Sequence, residues 1–214
     1  MLAFYAERFE AVEINNTFYR MPKPSALEGW AAQVAQAQEA KTDFAFALKA
    51  PVYLGLLGRG RIGLEQPAKG FFEIAAVLGK RLGPIYVQLA PTMKKDVDGL
   101  AALLGLVPKD VRLAIEPGND TWLDDEVFAL LRKHRVALCT IDDTKKEIPI
   151  VPTAPFAYVR LRRTKYTKAA LTTWAERLRA QPSWKEAWVF FKHEDEATGP
   201  RLATAFQRVL EPGR

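Results

Sequence analysis

The feature that most constrains this chain is a regular alternation of short apolar segments with amphipathic stretches of helical period. Strand-like segments stand at Val12–Asn15, Phe44–Lys49, Ile85–Gln88, Leu113–Glu116, Ala137–Asp142, Ala157–Arg162 and Trp188–Lys192. Between them apolar residues recur every three or four positions, as in Leu27, Trp30 and Val34, then Leu100, Leu103 and Leu104, then Leu171, Trp174 and Leu178. Further helices are predicted at Leu2–Phe9 (the end of one), at Phe71–Leu78, around Val127, Leu130 and Leu131, and around Leu202, Phe206 and Val209. Ser25, with Glu28 three residues on, predicts a capping box at the second helix. Strands that alternate with helices pair in parallel and are covered by those helices. Seven strands with no linker or break in composition predict a single domain over 1–214. Its expected fold class is α/β, a TIM-like (β/α) barrel lacking the first strand. A doubly wound open sheet would carry a Gly-rich phosphate turn after its first strand, and the chain has none, so no nucleotide-cofactor motif is read.

Side chains alternate across a strand, so each segment divides into two faces. One face is bulky and apolar: Phe44, Phe46 and Leu48; Val87; Leu113 and Ile115; Cys139 and Ile141; Val159 and Leu161. The other is small or polar and ends in a charged or amide group: Lys49; Tyr86 and Gln88; Glu116; Thr140 and Asp142; Tyr158, Arg160 and Arg162; Phe190 and Lys192, with Glu194 next along. In a parallel barrel the second faces point to the axis, and their C-terminal ends meet at the mouth, where barrel active sites lie. Lys49, Gln88, Glu116, Asp142, Arg160, Arg162 and Lys192 are therefore expected around one cavity, joined by Glu13 and Asn15 from the first strand. Charges inside a barrel are costly unless paired or bound to a ligand, which favours a site over a coincidence.

Tyr19, Arg20, Trp122 and Tyr166 follow strands, where they either line the mouth, stacking on a base or sugar ring, or pack loop onto barrel. The densest basic run is Arg160, Arg162, Arg163, Lys165 and Lys168. It suits a phosphate group or polyphosphate backbone, or is simply a solvated loop. His134 and His193 are the only histidines, which excludes a zinc site of several imidazoles. His193 follows Lys192 at a strand end and is carried as a site candidate; His134 reads as a surface residue. Glu116, Asp142 and Glu194 could hold a divalent hard cation, or else pair with Lys49, Arg160 and Lys192.

The 31 Lys+Arg exceed the 25 Asp+Glu, a formal net charge of +6, which favours small anionic or phosphate-bearing ligands and makes nucleic acid a candidate partner. Cys139 is the only cysteine, so no intrachain disulfide forms, and a reducing cytoplasm is expected. The start of the chain reaches charge too early for a signal peptide, and no apolar run approaches the about 20 residues that span a bilayer, so no membrane is expected.

Several motifs occur together and in order: FYAERFEAVEINNTFYRMP over 4–22, FALKAP over 46–51, GPIYVQL over 83–89, Ala114-Ile-Glu116, AYVRL over 157–161 and FFKHE over 190–194. In these the chain resembles the YecE-like proteins, domain of unknown function 72, over nearly its whole length. The resemblance implies a TIM-like barrel distantly similar to the endonuclease IV and xylose isomerase barrels, and implies no established activity. The chain departs from the family pattern in three places. An opening Gly-Thr-Ser-Gly-Trp strand and a Phe-Tyr-Pro segment are absent, which accounts for the missing strand and predicts either an N-terminally truncated barrel or a barrel open on one side. Pro117-Gly118 stands where an arginine commonly follows the glutamate. Ala90 takes the first place of a usual Pro-Pro pair.

Three functional readings follow. The first is an enzyme on a phosphorylated or nucleic-acid substrate, in which Lys49, Arg160, Arg162 and Lys192 bind anionic groups while Glu116 and Asp142 act as general bases or hold a cation. The second is a non-catalytic nucleic-acid-binding module. The third is a Schiff-base lyase using Lys49 or Lys192.

Overall fold

The computed structural model describes residues 2–36, 43–57, 63–191 and 198–210. The chain divides into two units, Met1–Leu130 and Leu131–Arg214. The first unit contains α1 (Leu2–Arg8), β1 (Ala11–Ile14), α2 (Pro24–Gln36), β2 (Ala45–Lys49), α3 (Glu65–Ala75), β3 (Leu82–Gln88), α4 (Val97–Gly105) and β4 (Leu113–Glu116). Its strands pair in parallel in the order β1-β2-β3-β4. The division falls within α5 (Asp125–His134). The second unit continues with β5 (Ala137–Asp142), β6 (Glu147–Ile148), β7 (Phe156–Leu161), α6 (Lys168–Arg179), β8 (Glu186–Phe191) and α7 (Thr198–Leu210). There β5, β7 and β8 pair in parallel, and β6 turns back antiparallel on β5. β6 has two residues, too few to carry any periodicity, and the sequence reading does not contain it.

Helix ends follow local chemistry. The Asp96 carboxylate accepts from Gly99 N at 2.9 Å and opens α4, and the Thr167 hydroxyl accepts from Ala170 N at 3.2 Å and opens α6. α5 starts with Asp125 and Glu126 and ends with Arg132, Lys133 and His134, which matches the helix dipole at both ends. The capping box expected at Ser25 is not how α2 begins. The helix starts one residue earlier, at Pro24, where a missing N–H costs nothing, and Ala26 N donates to Lys23 O at 3.0 Å. Ser25 therefore lies inside the first turn.

One irregularity in the first unit decides which side chains meet. β2 and β3 pair Phe46 with Leu82, but then Leu48 with Ile85 and Lys49 with Tyr86. β3 spends one extra residue over Gly83–Pro84, a bulge at the point where proline has no N–H to give the ladder. A slip of one residue exchanges the faces of a strand. The bulge thus places Tyr86 and Gln88 on the face of Lys49, and Ile85 on the face of Leu48.

The opposite face is the core. Phe44, Phe46, Leu48, Ile85, Leu113 and Ile115 are buried, and the Trp30 ring of α2 lies 6.1 Å from that of Phe46. In the second unit Val159 and Leu161 pack with Leu171, Trp174 and Leu178 of α6 and Phe206 of α7.

Candidate functional site

Lys49, Gln88 and Glu116 are the last residues of β2, β3 and β4. Register sets Lys49 beside Tyr86 and Gln88 beside Glu116, all on one face. The side chains form a continuous chain of hydrogen bonds. The Lys49 ammonium donates to Gln88 Oε1 at 2.8 Å, and Gln88 Nε2 donates to Glu116 Oε1 at 2.8 Å. The Tyr86 hydroxyl donates to Glu116 Oε2 in a short contact. Gln88 has one possible orientation here, its carbonyl toward the cation and its amide toward the carboxylate. Glu116 is 1% exposed and Tyr86 fully buried, while Lys49 and Gln88 are half-buried. A buried carboxylate is tolerable because donors meet both its oxygens. The Lys49 ammonium also stands over the Phe18 ring, 4.0 Å from its centroid, a cation–π contact that holds it on a second side.

The loops after these strands are tightly fitted. Ala90 N donates to Gly55 O at 3.1 Å. A Cβ on Gly55 would collide with the Gln88 carbonyl, and one on Gly118 would stand 2.8 Å from Ala90 C and 3.0 Å from Leu89 O. Only glycine lets the loops after β2 and β4 approach the exit of β3 this closely. Pro117-Gly118 thus serves packing. Asn119 Nδ2 donates to Pro91 O and Met93 O, each at 2.9 Å, and fastens the same segment.

Other first-unit candidates take different places. Glu13 lies on β1 and accepts from Asn15 Nδ2 at 3.1 Å. Tyr19 and Arg20 are exposed after a single 3-10 turn at Asn16–Phe18. Of the two readings given for Trp122, the structure has the packing one and not the stacking surface at the mouth: it is fully buried, and its indole N–H donates to Met93 O at 2.8 Å, so it packs loop onto sheet.

In the second unit Asp142 is also a correction. It pairs with Leu161, and neighbours in register share a face, so its carboxylate points into the helix-covered side with Val159 and Leu161. There it accepts from the Trp174 indole at 3.1 Å and from Arg163 Nε at 2.5 Å. Both oxygens are engaged in holding α6 and the loop after β7, which leaves a packing role in place of general base or cation ligand. Cys139 changes face with it, pairing with Tyr158, and is buried. Tyr166, expected at the mouth, is half-buried in the same latch. Its hydroxyl donates to Asp142 O at 3.2 Å and accepts from Arg163 N at 3.3 Å, and its ring meets Phe191 edge-on. Burial pushes its phenol well above the ordinary tyrosine range.

Arg160 shares the face of Tyr158 and Phe190, whose rings lie 5.2 Å apart, and is half-buried. Arg162 Nε lies 3.6 Å from Asp143 Oδ2. Lys192, His193 and Glu194 lie outside the described residues. Among the described residues no three His, Cys, Asp or Glu side chains are grouped to hold a metal ion, and no helix is long and apolar enough to cross a membrane.

The family model for "Protein of unknown function DUF72" matches residues 1–214. This chain belongs to the DUF72 family. Two crystal structures of a DUF72 family protein (EF0366) from Enterococcus faecalis V583 share its fold at 20% identity. One has a TM-score of 0.83 and covers 98% of this chain and 88% of that one; the other has 0.81, covering 98% and 93%. A DUF72 family protein (TM1631) from Thermotoga maritima MSB8 matches with a TM-score of 0.74 at 21% identity, covering 95% and 85%. No curated protein matches the chain. The DUF72 fold of this chain is α/β, a TIM-like barrel lacking one strand.

Sequence reasoning placed Tyr86 on the same face as Gln88 without naming it as a site member, and read Arg163 as part of a basic run, not as the partner of Asp142. Phe18 it did not single out, because it lies in a short turn where no periodicity announces a contact.

Proposed function

We propose that this chain is an enzyme acting on phosphate-bearing substrates at the strand ends of its first unit, with Lys49 binding the anionic group. The observation that carries this is the hydrogen-bonded series Lys49–Gln88–Glu116–Tyr86 across the last turns of three adjacent strands. The excess of basic residues over the whole chain supports an anionic substrate. Phosphoryl transfer or phosphoester hydrolysis spreads negative charge over non-bridging oxygens, and a preorganised ammonium stabilises that charge. At 1% exposure Glu116 works from behind Gln88. It is a positioning residue, the counter-charge that fixes Gln88 and through it Lys49, and this replaces the general base expected from sequence.

The test is turnover of p-nitrophenyl phosphate and bis(p-nitrophenyl) phosphate, with inorganic phosphate binding measured by calorimetry. Lys49→Met keeps the length of the side chain and removes the charge; it is expected to lower kcat by roughly 100-fold or more and to abolish phosphate binding. Glu116→Gln keeps the shape and is expected to weaken both less, with a shifted pH profile. Unchanged turnover and phosphate affinity in Lys49→Met, or no turnover of any phosphoester by the unaltered protein, would refute the proposal.

A further inference from the structure

Tyr19 is 85% exposed, the most exposed of the large hydrophobic side chains described. A solvated aromatic on a floppy loop would mean little, but the turn that carries this one is fixed from several sides. The Thr17 hydroxyl, 1% exposed, lies 2.6 Å from Lys49 O and 3.2 Å from Ile14 O, tying the turn to the ends of β1 and β2. Phe18 O accepts from Val52 N at 3.1 Å in the loop after β2. The Phe18 ring meets the Tyr19 ring edge-on, centroids 5.1 Å apart at 89°, and carries the Lys49 ammonium on its face. One half-buried ring therefore connects a fixed cation to a bare aromatic face.

We infer that Tyr19 is a stacking platform for the base of a nucleotide whose phosphate is held by Lys49. This rests on the anion-binding role proposed for Lys49. The pairing of groups is selective. A phosphate alone needs only Lys49, whereas a nucleotide offers a planar π-face and an anion separated by a sugar, and the turn offers an exposed ring and an ammonium separated by Phe18. Stacking on a ring carried by a turn that is already fixed costs little chain entropy. Exposed Val52, 46% accessible and backbone-bonded to Phe18, adds apolar surface beside it.

The experiment compares calorimetric affinities of adenosine monophosphate, ribose 5-phosphate and a single-stranded ten-nucleotide DNA for the unaltered chain, Tyr19→Ala, Tyr19→Phe and Lys49→Met. The platform predicts that adenosine monophosphate binds about tenfold tighter than ribose 5-phosphate. Tyr19→Ala should lower its affinity by that same factor, about tenfold, to the level of ribose 5-phosphate, whose own affinity stays the same; Tyr19→Phe should keep it. Equal binding of the two phosphates, both lost in Lys49→Met and neither changed in Tyr19→Ala, overturns the platform and leaves the anion site standing. Base-dependent binding lost in Tyr19→Ala but unaffected by Lys49→Met overturns the anion site and keeps the platform. No binding of any probe overturns both. The DNA arm separates the two sources of the same chemistry. Affinity above that of the mononucleotide, falling steeply with salt, supports a strand as the source, and equal affinity supports a free nucleotide.

Discussion

Adding one methyl group at two glycines should move stability in opposite directions. At Gly118 the new Cβ would stand 2.8 Å from Ala90 C and 3.0 Å from Leu89 O, and closer still to Ala90 O, where ordinary contact begins at 3.4 Å. All three atoms are backbone, so no side chain can swing away, and the exit of β3 must move. Overpacking of this kind costs about 1–3 kcal/mol. For a chain of this size that corresponds to a fall in Tm of roughly 2–12 °C. At Gly29, within α2, a Cβ meets nothing within 4 Å. There alanine gains only helix propensity, about 0.5–1 kcal/mol, a rise of roughly 1–4 °C. The assay is thermal unfolding followed by circular dichroism at 222 nm, with the two variants and the unaltered chain scanned at one rate. A Tm for Gly118→Ala within about a degree of the unaltered chain, or a fall for Gly29→Ala, would refute the packing argument. Because Gln88 lies two residues before Ala90, Gly118→Ala should also weaken phosphate binding, and Gly29→Ala should not.

The latch in the second unit is tested separately. Trp174→Phe removes the donor to Asp142 while keeping a ring; losing a hydrogen bond to a buried charge should destabilise by about 1.5–3 kcal/mol, read from urea midpoints, with phosphate binding unchanged. A midpoint unmoved, or binding lost, would return Asp142 to the list of functional groups. Tyr166 gives a pH prediction. Its phenol is raised by burial in the folded state, so its contribution is complete below the unfolded tyrosine value of about 10 and is lost as pH climbs above it. Urea midpoints should therefore fall between pH 9 and pH 11, and fall less in Tyr166→Phe; equal slopes would show that the burial does not matter.

Much of the architecture was legible in the residues because it rests on local periodicity. β4 and β5 have the bounds read from sequence, Leu113–Glu116 and Ala137–Asp142. Lys49, Gln88 and Glu116 were found because each ends a strand whose other face is bulky and apolar. The two-residue β6, the Phe18 turn and the Arg163 loop carry no such signal. Trp122 and Tyr166 follow strands as expected, but whether a ring after a strand meets solvent or core depends on which carbonyls lie within its reach.

β5 marks where sequence stops. Alternation shows that Thr140 and Asp142 share one face and Cys139 and Ile141 the other, but not which face is covered by helices. All six residues are buried, so neither face has a hydrophilic signature that can be trusted. Pairing of Asp142 with Leu161 decides it, and pairing is a property of two strands together. The bulge at Gly83–Pro84 makes the same point from the other side. The proline is visible in the sequence, yet only the register against β2 turns Tyr86 and Gln88 toward Lys49. The chain alone determined the parity within each strand, through the backbone's two-residue repeat; the partner strands determined which parity meets which.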